Sequence, residues 1–166
     1  MATDAIPFAS KPLTPPRAIL YGTLVVGALD FIDATVFFGF LGAPPLRIWQ
    51  SVASGLLGKD AFQGGLPVAA LGVVLHFFIA FGIVSVYYLA SRRLRFLTQR
   101  PVLWGLVYGV AVYFVMSLVV VPLSAATSHW PPSLLVFLNG IIGHALLIGL
   151  PAALFASRAA AGSTGR

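Results

Sequence analysis

Two carboxylates one helical turn apart, Asp30 and Asp33, stand in a run that from Ala18 to Leu41 is otherwise apolar and long enough to cross a bilayer. At the centre of a membrane helix an Asp costs about 2.5–3.5 kcal/mol, while Leu, Ile, Phe or Val each returns only about 0.3–0.6 kcal/mol. The pair therefore cancels most of the drive that inserts this helix, and it needs partners. The other ionisable side chains deep in apolar segments are His76 and His144; no Lys, Arg or Glu is available there. Asp beside His near the midplane can share a proton at physiological pH. The same four residues, Asp30, Asp33, His76 and His144, are also a ligand set for a divalent metal, since imidazole and carboxylate suit Zn, Mn or Fe. A third reading involves no chemistry: the acids are protonated or hydrogen-bonded to Ser, Thr, Tyr or imidazole and only fix helix register.

Composition says what must hold these residues. At 59% hydrophobic and 8% charged, the chain is far from the roughly 25% charged of globular domains, and a soluble fold could not hide that much apolar surface. The expected fold is all-α, with four membrane-spanning helices at about 18–40, 66–90, 101–121 and 133–156 in a bundle. Residues 1–17 and 158–166 are expected to be cytoplasmic tails flanking a membrane domain over 18–157. Gly42-Ala43-Pro44-Pro45 ends the first span, because proline cannot continue the hydrogen-bond ladder. A short amphipathic helix at about 46–57 follows, its apolar residues recurring opposite Arg47, Gln50, Ser51 and Ser54. It is expected at the interface, with Trp49 at headgroup depth and Gly58 closing it; a re-entrant or gating element is the alternative. Trp130 is a further interface anchor, and Pro151 should kink the last span.

The net charge of +6 invites a nucleic-acid partner, but the cations lie at the ends of apolar runs rather than along one face, so the bilayer is the expected partner and nucleic acid is not. Lys11 and Arg17, then Arg92, Arg93, Arg95 and Arg100, then Arg158 and Arg166 all fall on one side of a four-span chain. Arg47 and Lys59 alone fall on the other. The positive-inside rule puts both termini in the cytoplasm. With no Cys, disulfides, thiolate metal sites and cysteine catalysis are excluded.

Depth and face bring the polar residues together. Counted from the cationic ends of their spans, Asp30, Asp33, His76, Tyr113, Ser117 and His144 lie about 12 to 16 residues in, a spread of about one turn at 1.5 Å per residue. Small residues share their faces: Gly27 with Asp30, Gly72 with His76, Gly105 and Gly109 with Tyr113 and Ser117, and Gly140 with His144. Gly105 and Gly109 form a GxxxG of the kind that lets membrane helices approach closely. These six polar residues are the expected interior, with the five glycines as packing positions. Asn139 lies well round its helix from His144 and is assigned to another contact.

No GxSxG, HExxH, P-loop or strand-following GxGxxG is present, so an enzyme is not expected and no cofactor beyond the divalent-metal alternative is called for. A bundle this small suits a homo-oligomer or a subunit of a larger membrane complex. From His76 onward the chain resembles the YagU-like group of small bacterial inner-membrane proteins. The resemblance rests on His76 in an aromatic-rich span, the basic loop, Trp104-Gly105-Leu106 leading to Gly109, Val121-Pro122-Leu123, and Gly143-His144. It implies a bacterial inner-membrane location and supplies no mechanism, because such families lack an assigned activity. The segment from Leu29 to Ala34 lies outside it.

Overall fold

The computed structural model describes residues 13–127 and 131–161. Lys11, Trp130 and Arg166, used above as anchors or topology markers, lie outside them, as does most of the first tail. The described elements are α1 (Pro15–Phe40), α2 (Pro45–Leu57), a 3-10 turn (Gly58–Gln63), α3 (Gly65–Arg93), the short α4 (Phe96–Gln99), α5 (Pro101–Leu123) and α6 (Leu134–Ala161). Proline opens α1, α2 and α5, where its missing N–H and fixed φ cost nothing. Gly42 and Gly58, at φ 89° and 63°, turn the chain into and out of α2 in backbone conformations that a side chain would strain.

Four helices, α1, α3, α5 and α6, are long and apolar enough to span a membrane. Their outer surfaces display large apolar residues such as Leu24, Phe78, Val107 and Leu146, which in water would make an intolerable patch and in lipid make the natural belt. The chain is an all-α, multi-pass membrane protein. Both α5 and α6 widen into a π turn, at Met116–Val120 and His144–Gly149, each ending two residues before a proline, Pro122 and Pro151. Proline offers no N–H and its ring crowds the carbonyl four residues back, so a wider turn relieves the clash without unwinding the helix.

Packing is led by small residues. α6 packs against α1, α5 and α3, and α3 also packs along α1. A Cβ at Gly109 would collide with the His144 carbonyl, and one at Gly149 with the Gly105 carbonyl, so the α5–α6 seam runs backbone against backbone. Towards the end that carries α4 and both described chain ends, Ala18, Val26, Ala80, Val84, Tyr87, Ile148, Ala152, Ala153 and Ala156 close a continuous core.

At the opposite end, α2 departs from its expected orientation. Gln50 and Ser54 are buried, while Leu46, Leu56 and Leu57 are exposed, and Trp49 is 5% exposed rather than displayed at a headgroup layer. The reason is a slot. Gly72 has no side chain, so the α2 backbone at Trp49 presses directly on α3. The Trp49 ring then stacks on Phe31 of α1, with centroids 4.2 Å apart and planes 9° apart. Gln50 is satisfied by donating to the Gly65 carbonyl at 3.1 Å. Phe31 and the neighbouring His76 lie about 14–16 Å along their helices from the nearer ends, so Trp49 is inserted well into the bundle.

Candidate functional site

His76 on α3 is held on three sides. Its Nε2 lies 2.9 Å from the Gly27 carbonyl of α1, and because a carbonyl only accepts, Nε2 carries a hydrogen. That assigns the tautomer: Nδ1 turns to Asp30, with 3.7 Å between Nδ1 and Oδ2. Trp49 and Phe31 meet the imidazole edge-on at centroid distances of 5.2 and 6.4 Å, and Phe77 follows it in the chain. The side chains of His76 and Asp30 are 12% and 23% exposed, so the facing pair is shielded from bulk surroundings.

Asp33, one turn further along α1, points to α6. Its Oδ2 accepts a hydrogen bond from Asn139 Nδ2 at 3.0 Å. Gly143 makes the room, since a Cβ there would sit 3.3 Å from that same carboxylate oxygen. His144 follows at the start of the α6 π turn, close enough to Asp30 and Asp33 for their charges to interact. Tyr113 of α5 is buried; its ring lies edge-on to His144 at 5.4 Å and presses on Gly140, which has no side chain to oppose it.

The structure thus gathers Asp30, Asp33, His76, His144 and Tyr113 where α1, α3, α5 and α6 meet. Ser117, one turn beyond Tyr113, lines a cavity beside this cluster instead of touching the acids. Each of the five glycines expected at packing positions meets a neighbour: Gly27 the Phe77 ring, Gly72 the α2 backbone, Gly105 and Gly109 the α6 backbone, and Gly140 the Tyr113 ring. Asn139, assigned elsewhere from the sequence, is instead the partner of Asp33. The signal was depth rather than angle: Asp33 lies three residues outward of Asp30, Asn139 five outward of His144, and the two side chains meet across that offset. His76 is walled in by Phe31, to which the sequence assigned no role, and by Trp49, which it placed at headgroup depth.

For a metal, the arrangement offers little. Among the described residues no three His, Asp or Glu side chains converge as a ligand group. One nitrogen of His76 is committed to Gly27, and Asp33 Oδ2 to Asn139. What remains suited to chemistry is the facing pair: an imidazole nitrogen and a carboxylate oxygen a small side-chain rotation from a hydrogen bond, with a second imidazole nearby.

Comparison with protein-family models, with curated proteins and with solved structures finds no match.

Proposed function

We infer that this membrane protein handles protons, with Asp30 and His76 as the pair that holds one and His144 as the neighbour that receives it. The reading rests on one observation, the tautomer fixed by Gly27. With Nε2–H spent on that carbonyl, Nδ1 and the Asp30 carboxyl face each other with a single proton between them: neutral acid and imidazole, or carboxylate and imidazolium. The two forms differ by one short transfer, and the aromatic walls keep water from levelling them. The cation distribution supports cytoplasmic termini, and the resemblance noted above supports a bacterial inner membrane; the α2 end then faces the periplasm.

The test is proton flux. Protein reconstituted in liposomes with an entrapped pH dye, under an imposed potassium diffusion potential, should change internal pH, and Asp30→Asn and His76→Gln should each abolish the change while remaining folded. A wild type that moves no protons, or variants that move them as fast, overturns the reading.

One observation favours a second reading. The Asp33–Asn139 bond ties α1 to α6, which is what a purely structural cluster in an assembly subunit or homo-oligomer would do. Under that reading Asp30→Asn and His76→Gln lower thermal stability and alter the native-mass stoichiometry, and no flux is lost because none exists.

A further inference from the structure

On the α2 side of the bundle, α2, α3 and α5 leave a cavity of about 680 Å³ between them, with Phe38 of α1 and Val136 of α6 on its flanks. Most of its wall is hydrocarbon: Val52, Leu75, Ile79, Met116, Val120 and Val136. None of the described residues that line it is charged. A charged ligand would therefore lose its hydration without gaining a counter-charge, and the cavity selects against one. The size suits a hydrocarbon body of the class that pockets of about 300–1,000 Å³ accept.

The serine hydroxyls in the wall are of two kinds. Ser51, Ser54 and Ser124 donate to backbone carbonyls of their own turns, Ile48, Ser51 and Val121. Ser117 makes no hydrogen bond to a described residue, and it lies inside the α5 π turn, next to Tyr113 at the inner end. An oxygen acceptor placed there would take the Ser117 proton. The outer end is different. Leu56 and Val120 there are both exposed and apolar, so a chain leaving the cavity passes into lipid rather than water.

We propose that this cavity is a binding site for a neutral long-chain amphiphile, an alcohol, ketone or ester whose head oxygen accepts from Ser117 and whose hydrocarbon chain runs out past Leu56 and Val120. The site stands independently of proton movement at Asp30 and His76, and its occupant ends beside Tyr113, which separates it from His144.

The test uses photo-crosslinking of the full chain in lipid nanodiscs with a hexadecanol carrying a diazirine in its chain. Label is expected on the peptides of Ser51–Leu56 and Met116–Val121. Excess unlabelled hexadecanol should remove it, and hexadecanoate or hexadecyltrimethylammonium should compete at least tenfold less well. Ser117→Leu, which fills the inner end and removes the hydroxyl, should abolish that label, and Ser117→Ala should weaken it several-fold while leaving the fold intact. Label spread over the outward face of α3 at Val74 and Phe78, or equal competition by charged and neutral chains, would overturn the proposal. A Ser117→Leu variant that keeps its hydrodynamic profile and its label would do so too. Proton flux through the Ser117→Ala variant reads the cluster separately, so the two proposals fail by different measurements.

Discussion

The half of the bundle that carries the chain ends and the half that carries α2 are made from the same four spans and packed in opposite ways. In the first half alanines bring the helices together, and two of the tyrosine rings are anchored across elements: Tyr87 donates to the Leu97 carbonyl at 3.1 Å and Tyr108 to the Ile83 carbonyl at 2.7 Å. Among the described residues, the titratable side chains in the core around Ala80, Val84, Ala152 and Ala156 are tyrosines, Tyr87, Tyr88 and Tyr108. In the second half the space between the spans is filled partly by the inserted α2, partly by polar side chains bonded across helices, and partly not at all. Polar residues and empty volume both cost stability in a membrane protein; here the buried acids and imidazoles and the cavity lie towards the α2 end, while the other end buries hydroxyls, Thr23 and Ser85 among them. That division lets a polar region with unfilled volume exist without unzipping the bundle.

The sharpest break to this contrast should come at the seam that joins the halves. Gly109→Leu drives a side chain into the His144 backbone, which cannot yield as a side chain can, and should leave no monodisperse protein on size exclusion; Gly82→Leu, at a position with nothing within 4 Å of its Cβ, should purify normally. Next in size, Trp49→Ala removes the ring that stacks on Phe31 and walls in His76. It should cost about 3–5 kcal/mol in SDS unfolding, and if α2 merely lay on a surface the loss would be a fraction of that. Val84→Ala, at 2% exposure in the closed half, should cost about 2 kcal/mol. Val120→Ala, whose side chain borders the cavity at 39% exposure, should cost under about 0.5 kcal/mol, because part of its surface has no protein partner to lose. Equal losses at Val84 and Val120 would mean that the two halves are packed alike.

The closed half was legible in the sequence for simple reasons. Span length, proline at helix starts and small residues at intervals of four are local signals, and each has a direct structural consequence at Pro101, Gly105 and Gly109. The polar layer was legible too, since counting in from cationic ends fixes depth for any regular helix, and Asp30, His76 and His144 meet as that count requires. What the sequence concealed is three-dimensional. The pattern of α2 reads as an interfacial helix only if water lies on one side and lipid on the other; a slot opened by Gly72 replaces both with protein, so Gln50 goes in and Leu56 comes out. A helical wheel places Asn139 away from His144, but it assumes that Asp33 and Asp30 look for partners in one direction. They do not, because three residues along α1 turn the second carboxylate about 60° from the first.

That divergence gives the finest test. In a cycle of Asp33→Ala, Asn139→Ala and the double variant, unfolding in SDS should return a coupling of about 0.6 kcal/mol, and no more than about 1.7 kcal/mol, the range for interhelical hydrogen bonds whose partners find other contacts when the helices separate. Asp30 should show no coupling to Asn139, since its carboxylate faces His76. The two acids of one turn would then do different work, Asp33 holding α1 to α6 and Asp30 free to exchange its proton with an imidazole. Coupling at Asp30 equal to that at Asp33 would make the pair a single structural network, and the α2 half would differ from the closed half in the polarity of its packing rather than in having chemistry to perform.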